Sequence, residues 1–266
     1  MQWWCAALGV QWTWAWRAYP GVWLFVIAVV AGFGLIAGRG AWTRASNGAR
    51  TSFVIGAVTL WLSLDWPLGP IAAGYLASAH ALQFVIETMI AAPLLLFGVS
   101  AAFGRRLPLS MSPALVRAGR TVVHPLVAAI IFNVVVAATH VPGVVDALMP
   151  SGLGAFAIDA GWFFAAVIFW WSVIMPAPRY PHFGPPLKIL YLLIGTLFHT
   201  VIGMIMLSAE LPLYGIYELA PPIFPIPPRA DQQLAGGIME LGVFFVIVVG
   251  SAILFFRWAG SDEKRA

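Results

Sequence analysis

The sequence predicts an all-α integral membrane protein, a seven-helix transmembrane bundle with its N-terminus outside and its C-terminus in the cytoplasm. Three observations predict it. Of 266 residues, 61% are hydrophobic and only 9% are charged, against about 25% charged in a soluble domain. Apolar stretches recur at lengths near the roughly 20 residues that cross a bilayer. Basic residues alternate between successive loops, as the positive-inside rule requires of a multispan chain.

The spans are expected over residues 19–38, 51–64, 71–99, 122–139, 153–175, 187–208 and 237–256. The second is short and is expected to start nearer Ser46. The third is long, and Pro93 is its expected kink, because proline lacks the N–H that an interior helical turn needs. The run from Pro221 to Pro228 holds five prolines and reads as a stiff, extended loop. The chain therefore divides into a Trp-rich segment at 1–19, a seven-span membrane domain at 20–258 and a cytoplasmic tail at 259–266.

Loop charge sets the orientation. Arg39, Arg44 and Arg50 fall in one loop; Arg105, Arg106, Arg117 and Arg120 in another; Arg179 and Lys188 in a third; Arg257, Lys264 and Arg265 in the tail. These are twelve of the fourteen basic residues. The opposite side keeps Arg17 and Arg229, together with Asp65, Asp146, Glu210, Glu218 and Asp231. The basic set belongs in the cytoplasm. The net charge of +4 then reflects loops facing anionic lipid rather than a nucleic-acid surface.

The first nineteen residues carry Trp3, Trp4, Trp12, Trp14 and Trp16 with Arg17 as their only charge. That pattern fits a cleavable signal peptide poorly. It suits a segment lying among lipid headgroups, where indoles are favoured. The single Cys5 excludes an internal disulfide and every metal motif with two or more thiolates.

Ionisable residues inside spans are costly, and each is a candidate site residue. His80, Gln83 and Glu87 share one face of the third span by their spacing, with Glu87 about 10 Å deeper than His80 at 1.5 Å per residue. His140 ends the fourth span, Asp159 lies early in the fifth, His199 is inside the sixth and Glu240 opens the seventh. His80, His140, Asp159 and Glu240 fall toward the outer side. His80, His140 and His199 are the candidate metal ligands; Gln83, Glu87, Asp159 and Glu240 are the candidate polar pocket. His80 and Asp159, at similar depth, are expected to pair. Interhelical hydrogen bonding that fixes the bundle accounts equally for these residues. His124, beside Pro125, reads as a helix-start residue, and His182 as a solvated loop residue. Met204 and Met206 read as packing, although thioethers also suit Cu(I).

Several strings carry a family resemblance. They are Ser78-Ala79-His80, Ala92-Pro93-Leu94-Leu95-Leu96, the order His124-Pro125, Phe132-Asn133, His140-Val141-Pro142, then Phe169-Trp170-Trp171, and Asp231-Gln232-Gln233-Leu234-Ala235-Gly236. Together, over residues 23–258, the chain resembles the CtaG-like cytochrome c oxidase assembly factors found with caa-type oxidases. The resemblance implies a bacterial inner-membrane protein that assists maturation of a heme–copper oxidase, with copper handling as the usual proposal. Members typically carry a His-x-x-x-His pair in the third span and another in the fifth. Here the positions read His80 and Phe84, then Ala155 and Asp159, so three imidazoles are missing.

Two functions stay open. One is assistance in oxidase assembly or copper maturation, with a respiratory oxidase as partner. The other is a metal-free structural or accessory subunit of a larger membrane complex. Copper and the absence of any cofactor are both compatible with the residues. A transporter needs a path across the cytoplasmic half, which offers little beyond Glu87. A retinal protein lacks its Lys in the last span, and no nucleophile or phosphate-loop motif suggests an enzyme.

Overall fold

The structure, a computed structural model, describes residues 2–38, 40–103, 113–175 and 183–262. Arg39, Arg105, Arg106, Arg179, His182, Lys264 and Arg265 lie outside the described residues. After an irregular N-terminal segment come α1 (Pro20–Ala37), the short α2 (Ala41–Arg44), α3 (Asn47–Leu64) and α4 (Leu68–Gly74). A central rod follows, built of α5 (Ala77–Val85), a π-helical turn (Ile86–Ala91) and α6 (Ala92–Phe103). Then come α7 (Pro113–Val122), α8 (Pro125–Thr139), α9 (Pro142–Leu148) and α10 (Gly152–Ile174). The chain ends with α11 (Pro185–Gly195), α12 (Leu197–Ser208), the single turn α13 (Gly215–Glu218) and the long α14 (Pro228–Asp262). All regular structure among the described residues is helical.

Four helical stretches are long and apolar enough to cross a membrane: Ala77–Ser100, Gly152–Ile174, Pro185–Ser208 and Pro228–Gly260. Two bent pairs raise the number to six. These are α3 with α4, bent by 46°, and Val116–Val122 with Pro125–Thr139, bent by 67°. The remaining expected span, the first, coincides with α1, whose apolar stretch Pro20–Leu35 is shorter. The protein is thus a multi-pass helical membrane protein with four to six clear spans.

Local sequence explains the helix ends. Ser46 accepts from the Ala49 N–H at 3.2 Å and caps α3, so this helix does begin before residue 51. Ser151 caps α10 in the same way, through the Gly154 N–H at 3.0 Å. Prolines open α1, α8, α9 and α11, where the missing N–H costs nothing. Pro93 stands just beyond the π-helical turn. A widened turn is one way a helix accommodates the carbonyl that proline leaves without its usual partner.

The strings behind the family resemblance are packing devices. Asp231 accepts from the backbone N–H groups of Ala77, at 2.6 Å, and Ser78, at 3.2 Å, and from the Ser78 hydroxyl. The first residues of α14 thereby cap the start of α5, supplying partners for donors that every helix start leaves open. Gln232 accepts from the Leu213 N–H at 2.6 Å, and Gln233 donates to the Leu207 carbonyl at 3.3 Å. Gly236 is needed for close approach: a Cβ there would lie 2.6 Å from the Gly203 carbonyl oxygen on α12. Asn133 donates to both the Ala129 and Gly195 carbonyls at 2.8 Å, tying α8 to the break between α11 and α12. Trp170 donates to the Thr88 carbonyl in the π-helical turn at 2.9 Å.

The central rod packs against α3, α10 and α14, so its side chains are the most enclosed. The opposite faces of α1, α12 and α14 carry exposed apolar residues such as Leu35, Met204, Leu241, Phe244 and Phe256, as lipid-facing surfaces do. Part of the N-terminal segment joins the core, with Cys5, Ala6 and Tyr19 buried. Trp3, Trp14 and Trp16 are exposed, but Trp4 is fully buried, packed edge-on against Phe25 and Phe156.

Candidate functional site

Two polar assemblies occupy the interior, one above the other along the central rod. The first is an enclosed cavity lined by Ala77, His80, Ala81, His140, Val145, Met206, Tyr214, Tyr217 and Met239. The space open to the centre of a water-sized sphere is about 10 Å3, room for one small occupant.

α5 supplies His80, and the turn that ends α8 supplies His140. Both are buried, and both pack on Trp162 of α10, at ring-centroid distances of 4.7 and 5.6 Å. Neither ring nitrogen of His80 has a hydrogen-bond partner. Nδ1 of His140 lies 2.8 Å from the Val136 carbonyl, an arrangement that fixes the ring and turns Nε2 to other use. α12 and α14 contribute the thioethers Met206 and Met239. Tyr214 donates to the His140 carbonyl and Tyr217 to the Ala72 carbonyl, each at 2.9 Å. Burial, followed by the nearby Asp146 charge, pushes the Tyr214 phenol up to about 12. Burial likewise pushes Tyr217 well above the usual range. Both phenols stay neutral and serve as donors rather than as anionic ligands.

His199 stands apart from this cavity. It packs against Phe84 and Phe132, with centroids 6.1 and 6.3 Å away, and both its nitrogens lack partners. Phe84 packs against His140 as well as His199, its ring 5.1 Å from His140 and 5.1 Å from Trp162. Among the described residues, no three His, Cys, Asp or Glu side chains converge on one metal position. The expected trio is therefore a pair, His80 with His140, and a separate third ring.

The second assembly is a chain of hydrogen bonds. Gln83 donates through Nε2 to Glu87 at 2.9 Å and to Asp159 at 3.3 Å. Trp4 donates through its indole to Asp159 at 2.7 Å. The expected pairing of His80 with Asp159 is not made, because indole and amide already satisfy the carboxylate. Glu240 belongs to neither assembly; it sits on α14 against Gly203 of α12. Two other acidic residues have structural work. Asp65 accepts from the indoles of Trp23 and Trp61, and Asp146 accepts from the first N–H groups of α13.

Sequence reasoning missed Trp4, Met239 and the two tyrosines. Met239 stood beside Glu240, three residues past the Asp231–Gly236 string, and its helical spacing from Gln232 and Ala235 was the available signal. Trp4 had none, since nothing in a Trp-rich leader says which indole turns inward.

Spans, short loops and polar groups gathered inside the bundle define a multi-pass helical membrane protein with an internal site. The model of the cytochrome c oxidase caa3 assembly factor family (Caa3_CtaG) matches residues 27–261, and the chain belongs to that family. Comparison with curated proteins and with solved structures finds no significant match.

Proposed function

We propose that this protein assists assembly of a caa3-type cytochrome c oxidase in a bacterial inner membrane by holding Cu(I) in the cavity between His80 and His140. Its role is that of a non-catalytic partner of the immature enzyme. The observation that carries this reading is the donor set. Two imidazoles and two thioethers face one enclosed space, and both nitrogens of His80 lack partners there. Such neutral, soft donors match Cu(I) better than a hard divalent ion. The His140 ring is braced from behind by a backbone carbonyl, as ligating imidazoles commonly are. Copper is cargo in this reading, and no bond geometry is assigned to it.

One observation favours the metal-free alternative, an accessory subunit of a larger membrane complex. Phe84 occupies the space where an imidazole would join His140 and His199, so the donor set is reduced. A single experiment separates the readings. Purified protein is titrated with Cu(I) against a competing chelator, alongside His80→Ala, Met239→Leu and Phe84→His. Copper handling predicts binding at one site per chain that His80→Ala abolishes and Met239→Leu weakens, with Phe84→His tightening it. No binding by the parent protein, joined to co-purification with a finished complex at fixed stoichiometry, would establish the accessory subunit instead.

A further inference from the structure

Glu87 and Asp159 are fully and almost fully buried, deep in the bundle and away from the cavity lining. One amide group lies between them, with Gln83 Nε2 donating to both. Two carboxylates this close in a membrane interior cannot both be ionised without a compensating charge. The groups facing the pair supply none. From α5 the neighbour is neutral Gln83. From the N-terminal segment, Trp4 bonds to Asp159, and Cys5 feels the Asp159 charge. From α13, Tyr217 feels it too, and both of these groups are neutral. α10 brings Asp159 itself.

The hydrogen bonds also distinguish the two acids. Asp159 accepts from an indole and an amide, which suits the charged form. Glu87 accepts only from the shared amide, and its second oxygen has no partner. Glu87 further sits in the π-helical turn Ile86–Ala91, a distortion found disproportionately at functional positions. A metal cation between the acids would meet the two amide hydrogens of Gln83, which carry positive charge and already point there.

We propose that Glu87 and Asp159 form a proton-binding carboxyl pair, with one proton resting on Glu87, ionised Asp159 beside it, and Trp4 closing the pair from the outer side. Withdrawal of the indole takes a donor from ionised Asp159 and favours the proton's move onto it. This site is independent of copper binding and survives whichever outcome the Cu(I) titration gives.

Infrared spectroscopy of the purified protein in lipid nanodiscs tests it. At neutral pH the spectrum should hold a carboxylic-acid C=O band from this pair that shifts when glutamate is carbon-13 labelled. Glu87→Gln should remove that band, whereas Glu240→Gln should leave it. Trp4→Phe should move part of the band to the aspartate-labelled sample, because Asp159 then loses its strongest donor. The isotope shift is read on the unmodified protein, so the test stands even if a variant fails to fold. Absence of any isotope-sensitive carboxylic-acid band at neutral pH overturns the proposal. So does loss of the band on adding sodium, which would make the pair a cation site.

Discussion

Cys5 shows how a residue's surroundings can reverse its usual chemistry. Its thiol is buried and donates to the Leu64 carbonyl at 3.3 Å. Burial, and then the charges of Asp159 and Asp65, push the thiol well above its ordinary range. The thiolate, which is the reactive form, is therefore scarce in the folded protein. Alkylation of native protein in detergent should be slow at neutral pH and become complete on denaturation, as mass spectrometry can record. The linkage has a definite sign. The folded state keeps its proton where the unfolded state loses one, so stability falls as pH rises above the unfolded thiol's value of about 8.5. Melting curves across that range should flatten in Cys5→Ala. A slope unchanged by the substitution would place its origin in another group.

Among the elements, α14 does more than span. Its first residues clamp α5 through Asp231 and α12 through Gln232, which donates to the Met206 carbonyl, and Gly236, while its far end carries exposed Leu241, Phe244 and Phe256. Asp231→Ala strands two backbone donors and a hydroxyl at the start of α5, and each buried orphan costs about 1–3 kcal/mol. The expected result is a lower thermal midpoint, with Asp231→Asn recovering part of the loss. Gly236→Leu should separate α12 from α14 and lower the yield of folded protein. The Asp-Gln-Gln string was visible in the sequence as a motif, but its task was not. A capping contact across more than 150 residues leaves no periodicity to read. Helix existence was legible because apolar length is a local property. The bends at residues 65–67 and 123–124 were not, since they depend on what packs beside them.

For the whole molecule, the sequence gives a direction that helix packing alone does not. The charge split predicts a cytoplasmic loop around Ser110 and an external loop around Ala220. Single cysteines at these positions in a Cys5→Ser background, treated in intact cells with an impermeant thiol reagent, should label at Ala220 and not at Ser110. Labelling at Ser110 alone would invert the molecule. The candidate site was half legible at this scale. His80, Gln83 and Glu87 could be set on one face by counting, and their depth followed from the helical rise. Which rings share a cavity depended on side chains from four other elements. Phe84, recognisable as a missing histidine, gave no sign that it would pack against both His140 and His199.

The inward-turned Trp4 bears on how the chain is made. Its partner Asp159 is 155 residues further along the sequence, so Trp4 cannot reach its place until α10 has been synthesised and inserted. The N-terminal segment therefore packs only after more than half of the bundle is in place. Deleting residues 2–7 should therefore leave insertion and topology intact while lowering the melting temperature of the finished bundle. A bulky N-terminal fusion should do the same by holding the leader back, whereas a C-terminal fusion should not. If the truncated chain instead failed to insert at all, the leader would be acting at the start of synthesis and not at its end.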